Sequence, residues 1–161
     1  MEETRPLPPS RGPTDASGRT PPHPPATVWQ AMARILLVAD LPLVINAVEA
    51  ALSGAGSDLT VTSDPAGAAG RALEERVELA LVDLQVGSMG GMAVTRSIRA
   101  AARTAGVAAP PVALLTDRAA DAFLARRAGA DGWIRKPFGA FALRDLVARL
   151  VTESSGDGTA T

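Results

Sequence analysis

Two aspartates, a threonine and a lysine stand where strand-like apolar runs end. Asp40 follows Arg34-Ile35-Leu36-Leu37-Val38-Ala39, and Asp83 follows Leu79-Ala80-Leu81-Val82. Thr116 follows Val112-Ala113-Leu114-Leu115, and Lys136 follows Gly132-Trp133-Ile134-Arg135. If these runs are parallel strands of one sheet, two carboxylates, a hydroxyl and an ammonium meet at one edge. That set suits phosphoryl transfer onto a carboxylate. Paired aspartates offer hard oxygen ligands to Mg²⁺, and one of them is a competent nucleophile. A hydroxyl and an ammonium can hold the oxygens over which charge spreads during transfer.

The rest of the chain has to place those residues. A fifth run, Leu59-Thr60-Val61-Thr62, lies between the first and second of the others. The Asp40, Asp83 and Thr116 runs are almost wholly apolar, as expected of central parallel strands covered on both faces. Helical patterns separate the runs. Pro42 to Ser53 carries Leu43, Ala47, Ala50 and Ala51. Pro65 to Glu75 follows an Asp64 cap, Met92 to Thr104 carries Val94, Ile98 and Ala101, and Arg118 to Ala128 ends at Gly129. Ala140 to Val151 carries Leu143, Leu146, Val147 and Leu150. Proline in a first turn and glycine after a last turn are ordinary helix punctuation. The order is (βα)5, which with right-handed crossovers is a doubly wound α/β fold with a five-stranded parallel sheet. Sites in such sheets lie beyond the C-terminal strand ends, near the switch in strand order.

Composition removes other chemistries. The chain has no cysteine, so disulfides, thiol catalysis and thiolate metal sites are excluded. Its sole histidine, His23, lies in a proline-rich stretch, so nothing points to a Ser-His-Asp triad or a histidine metal site. The formal net charge of -1 draws the chain neither to nucleic acid nor to acidic lipid. No apolar run reaches the length of a membrane span, and no secretory leader stands at the N-terminus. Eight of the 13 prolines fall in residues 1–25. Residues 1–31 are therefore expected to be a disordered extension, 32–152 the folded domain, and 153–161 a disordered polar tail. A single lysine among fifteen arginines is Lys136. A compact ammonium there differs in kind from a planar guanidinium.

Four segments resemble bacterial response-regulator receiver domains. Ile35 to Pro42 is similar to the family's first strand. Leu81-Val82-Asp83-Leu84 with Met89-Gly90-Gly91-Met92 is similar to the phosphoacceptor strand and its loop. Leu114-Leu115-Thr116 matches the switch threonine, and Gly129 to Phe138 matches the fifth-strand motif. The resemblance runs from residue 33 to 152 and implies the flavodoxin-like receiver fold. It implies that Asp83 accepts a phosphoryl group from a sensor histidine kinase or a phosphotransfer protein. Asp40, Asp83 and the backbone carbonyl of Gln85 would bind Mg²⁺. Thr116 and Lys136 would contact phosphoryl oxygens, and Trp133 would be the aromatic coupled to Thr116. The chain would be no turnover enzyme, only a phosphoacceptor that at most catalyses its own phosphorylation and dephosphorylation.

Two positions depart from the family. Ala39 stands where the first of two adjacent acids is usual, which weakens the pull on Mg²⁺. Asp117 replaces a small residue after the threonine. It is suited to crowding or repelling the phosphoryl group, to compensating for Ala39, or to capping the fourth helix. No output segment follows residue 152, so a stand-alone cytoplasmic receiver is expected. It would signal through a downstream protein or a homodimer, by way of the fourth helix, fifth strand and fifth helix, with Phe123, Arg126, Arg127, Phe141 and Arg144 on that face. The first rival is a pseudo-receiver that binds partners without phosphorylation, favoured by Ala39 and Asp117. A flavodoxin-like enzyme or cofactor binder is the second. It would need a phosphate-cradling loop after the first strand, and Asp40-Leu41-Pro42-Leu43 has no glycine.

Overall fold

The structure is a computed structural model that describes residues 32–156. The expectations for residues 1–31 and for 157–161 lie outside the described residues. Strands and helices alternate: β1 (Ala33–Val38), α1 (Pro42–Leu52), β2 (Ser57–Thr62), α2 (Ala68–Glu74), β3 (Leu79–Asp83), α3 (Gly91–Ala105), β4 (Val112–Thr116), α4 (Asp121–Ala128), β5 (Gly132–Arg135) and α5 (Ala140–Gly156). All pairings are parallel and the strand order is β2-β1-β3-β4-β5. The order reverses between β1 and β3, so Asp40 and Asp83 lie at the switch point where ligands of such sheets bind.

Side chains alternate across the central strands, as the pleat requires. Ile35, Leu37, Leu79, Leu81, Ala113 and Leu115 pack with Val48 of α1 and with Leu143 and Leu146 of α5. Leu36, Val38, Ala80, Val82, Val112 and Leu114 pack with Ala72 of α2, Val94 and Ile98 of α3 and Ala125 of α4. Every residue of β3 and β4 is buried. Each fully buried leucine contributes about 2 kcal/mol relative to exposure, so the strands carrying Asp83 and Thr116 form a rigid base. The reading of these runs as doubly covered strands therefore holds.

Two glycines are required by geometry. A Cβ on Gly91 would come within 2.6 Å of the Asp83 carbonyl oxygen and 2.9 Å of Leu84 Cα. Only glycine lets α3 start this close to the end of β3. Gly129 ends α4 at φ 78°, the left-handed cap expected of it.

Several boundaries differ from the sequence reading. Helix α2 starts at Ala68, not at Pro65. Asp64 Oδ1 instead accepts the N–H of Ala66 at 3.0 Å, a local turn that competes with the helix. Helix α4 starts at Asp121 rather than Arg118, because the Asp121 carboxylate accepts the N–H groups of Asp117 (3.2 Å) and Arg118 (2.8 Å) and holds 117–120 as a loop. Helix α5 runs to Gly156, into the segment expected to be tail.

Candidate phosphoacceptor site

Asp83 is the last residue of the buried strand β3, and its side chain has no exposure. Its Oδ1 accepts a 2.8 Å bond from Lys136 Nζ and a 3.3 Å bond from the N–H of Gln85. Its Oδ2 is buried and has no hydrogen-bond partner among the described residues. An orphaned carboxylate oxygen is costly to bury. Such an oxygen fits a site meant for a cation or for a group bonded to the carboxylate.

Lys136 reaches Asp83 because its own backbone is tied to β4. Its N–H donates to the Thr116 carbonyl at 2.7 Å, one residue beyond the Thr116–Arg135 register. The ammonium also contacts Asp117 Oδ1 at 3.2 Å. Burial alone would lower the Lys136 pKa, but hydrogen bonds and charge from Asp83 and then Asp117 outweigh it, and the net shift is upward from 10.5. Lys136 is therefore charged at neutral pH.

Asp40 follows β1 and is exposed, and its Oδ2 accepts the N–H of Gly87 at 3.0 Å. This bond ties the end of β1 to the loop after β3, the loop that also carries Gln85. Asp40, Asp83 and the Gln85 carbonyl are all hard oxygen donors at the switch point, and the orphaned Asp83 Oδ2 supplies a free one. This donor set suits Mg²⁺, which keeps several waters beside one or two carboxylates. Ala39, by contrast, is fully buried in the apolar cluster shared with α1 and α5.

Thr116 is 1% exposed, and its Oγ1 donates to the Ile134 carbonyl at 3.3 Å. That is long for a hydroxyl donor, so the bond is weak and easily exchanged. Trp133 lies on the other side of β5, half-buried against the α2–α4 cluster, with the Arg126 guanidinium 5.1 Å from its ring centroid. Asp83, Lys136, Gln85 and Asp117 are thus joined directly. Asp40 and Thr116 stand beside them at the strand ends, and Trp133 turns away toward α4.

The sequence reading left three roles open for Asp117. The structure places its carboxylate on Lys136, and α4 has no side-chain cap; the buried Asp121 in its first turn instead accepts the N–H groups of Asp117 and Arg118. Arg144, expected on the signalling face, instead donates to the carbonyls of Ala51 (2.6 Å) and Ser53 (3.1 Å) at the end of α1.

The sequence model of the response regulator receiver domain matches residues 35–148. The chain belongs to this family. It is 35% identical over 119 residues to the DNA-binding response regulator MtrA of Mycolicibacterium smegmatis, covering 73% of this chain and 48% of that regulator. It is 31% identical over 121 residues to the transcriptional regulatory protein KdpE of Mycobacterium tuberculosis, covering 74% and 50%. The chain thus spans about half the length of these curated relatives. Among solved structures, it resembles the receiver domain of sensor histidine kinase PA1611 from Pseudomonas aeruginosa, with 29% identity and a TM-score of 0.66 over 76% of this chain and 99% of that one. That structure has a magnesium ion coordinated in its active-site cleft. The chemotaxis protein CheY4 of Vibrio cholerae shares the fold at 24% identity, with a TM-score of 0.64 over 74% and 99%. Among the described residues, no helix is long and apolar enough to cross a membrane.

Proposed function

We propose that this receiver takes a phosphoryl group on Asp83 from the phosphohistidine of a sensor histidine kinase or a phosphotransfer protein. A carboxylate oxygen of Asp83 attacks phosphorus. An O–P bond forms, the P–N bond breaks, and its electron pair returns to the imidazole nitrogen, which takes up a proton. The observation that carries this reading is the buried, unpartnered Asp83 Oδ2 beside the Lys136 ammonium. Lys136 then follows the charge to a phosphoryl oxygen, a bond strengthened by charge on both partners. Thr116 gives up its long bond to Ile134 and donates to another phosphoryl oxygen. Asp40, Asp83 and the Gln85 carbonyl would hold Mg²⁺, which would offset the charge of the transferred group. Ala39 weakens that hold by leaving out one carboxylate.

The chain acts as a cytoplasmic phosphoacceptor and at most assists its own phosphorylation and dephosphorylation. Its output passes through the face of α4, β5 and α5 to a downstream protein or a second copy. There Phe123 is 64% exposed, and Arg126 covers Trp133. With acetyl phosphate and Mg²⁺, the expected result is one acid-labile adduct, absent in Asp83→Asn. Labelling that persists in Asp83→Asn would sink the assignment. The second reading, a phosphorylation-independent binding module, is favoured by the Lys136–Asp117 contact and by the apolar setting of Ala39. It predicts partner binding unchanged in Asp83→Asn.

A further inference from the structure

Asp117 holds the same ammonium that the phosphoryl group has to recruit. Its backbone cannot drift away. Its N–H and that of Arg118 are both held by the buried Asp121 carboxylate. On the other side, Lys136 is tied to the Thr116 carbonyl immediately before Asp117. The two residues therefore face each other across the ends of β4 and β5. Asp117 Oδ1 lies 3.2 Å from Lys136 Nζ, and its Oδ2 is buried without a partner among the described residues. Asp83 Oδ2 is buried without a partner as well. Among the described residues, the single cation in contact with both carboxylates is Lys136.

We propose that Asp117 is a positioning residue that sets the phosphorylation rate of this receiver: its carboxylate sequesters the Lys136 ammonium and repels the incoming phosphoryl group. This inference rests on the assignment of Asp83 as phosphoacceptor. A phosphoryl group brings nearly two negative charges and three acceptor oxygens. It must share Lys136 with Asp117 or displace it, and it must approach a carboxylate whose buried Oδ2 has nothing to neutralise it. Charge, not bulk, is the cause, because the carboxylate is already seated on the lysine. A neutral amide of the same shape leaves the space filled and frees the ammonium.

The test measures phosphorylation by acetyl phosphate with Mg²⁺ in wild type, Asp117→Asn, Asp117→Ala and Asp117→Glu. Intact mass gives the rate, and tryptophan fluorescence gives the apparent affinity for beryllofluoride. Removing a like charge at this range raises the rate and the beryllofluoride affinity about tenfold or more in both the Asn and Ala variants. Asp117→Glu, which restores the charge, stays slow. A gain in Asp117→Ala without one in Asp117→Asn would show bulk to be the cause and overturn the proposal, as would equal rates in all four proteins. Equal labelling at Asp83 in every protein overturns this inference alone. No labelling at Asp83 in any of them overturns the phosphoacceptor assignment as well.

Discussion

Replacing Lys136 by methionine keeps much of the side-chain volume and removes the charge. The structure sets the size of the effect. At 2.8 Å and an effective dielectric near 20, the Lys136–Asp83 attraction is about 6 kcal/mol before desolvation. Most of that offsets the desolvation of the two ions, so the pair is worth little net. Deleting one partner is different. Asp83 would stay fully buried with only the 3.3 Å bond from the Gln85 N–H, and Asp117 would face it without a cation between them. Breaking a buried pair this way costs about 3–5 kcal/mol. The Lys136 and Asp117 side chains are 15% and 35% exposed, so water screens part of it. We therefore expect Lys136→Met to lose about 2–4 kcal/mol.

Urea denaturation followed by circular dichroism reads this directly. With a urea slope of about 2 kcal/mol per molar, the midpoint should fall by about 1–2 M at an unchanged slope. Lys136→Arg keeps the charge and should lose less than about 1 kcal/mol, yet its planar fork should fail to reproduce the wild-type response to beryllofluoride. In an Asp83→Asn background, Lys136→Met should cost little, because the fully buried charge is gone. A loss below about 0.5 kcal/mol in the single Lys136→Met variant would refute the reasoning. It would mean that Asp83 does not depend on this ammonium for its burial.

Other expectations follow from the same geometry. The raised Lys136 pKa means that its stabilisation is fully present below 10.5 and is lost as pH rises through the higher folded value. Alkaline urea titrations should therefore show a loss in wild type above that pH that is smaller in Lys136→Met, and parallel curves would contradict it. Gly91→Ala places a Cβ 2.6 Å from the Asp83 carbonyl oxygen, so backbone must move. Thermal melts should show a cost of about 2–3 kcal/mol, and an unchanged melting temperature would show that α3 is free to shift. Ala39→Asp puts a carboxylate into an apolar setting. It should lower stability by about 1–3 kcal/mol without metal and regain it with Mg²⁺. Calorimetry with and without Mg²⁺ checks this, and a magnesium-independent melting temperature would remove Ala39 from the metal account.

What was legible in the chain was whatever depends on local period and strand-end position. Runs such as Leu79 to Val82 suited doubly covered strands, and as parallel strands they bring the residue ending each run to one edge of the sheet. Helix starts were less legible where a side chain competes for the backbone. Asp64 read as a cap, and a cap was one of the three roles open to Asp117, since an aspartate before a helical pattern ordinarily serves as one. Asp64 closed a turn on Ala66 instead, and the loop before α4 is held by Asp121, four residues after Asp117 and three after Arg118. A second aspartate at that spacing is a weak signal that the helix begins later. The direction of Asp117 was not legible at all, because it depends on the pairing of β4 with β5, between residues far apart in sequence. That pairing puts Thr116 beside Arg135 and so brings Asp117 to Lys136.

The same register bears on how Ala39 and Asp117 relate. Asp40, Asp83 and Lys136 alone carry a formal charge of -1, and Asp117 brings the cluster to -2. Asp117 thus replaces the missing acid in charge but not in place. A carboxylate at position 39 would add an oxygen on the β1 side, beside Asp40, where Mg²⁺ is expected. The carboxylate at 117 adds its oxygen on the β4–β5 side, where it binds the lysine. Equal charge at the two positions therefore has opposite consequences. On the β1 side it would attract the metal, and on the β5 side it occupies the cation proposed to receive the phosphoryl group. A receiver arranged this way should respond slowly to small phosphodonors and depend more on a kinase that supplies its own positioning. A double variant, Ala39→Asp with Asp117→Asn, has the same formal cluster charge as wild type. If it is phosphorylated by acetyl phosphate no faster than wild type, total charge governs the site, and the argument from position fails.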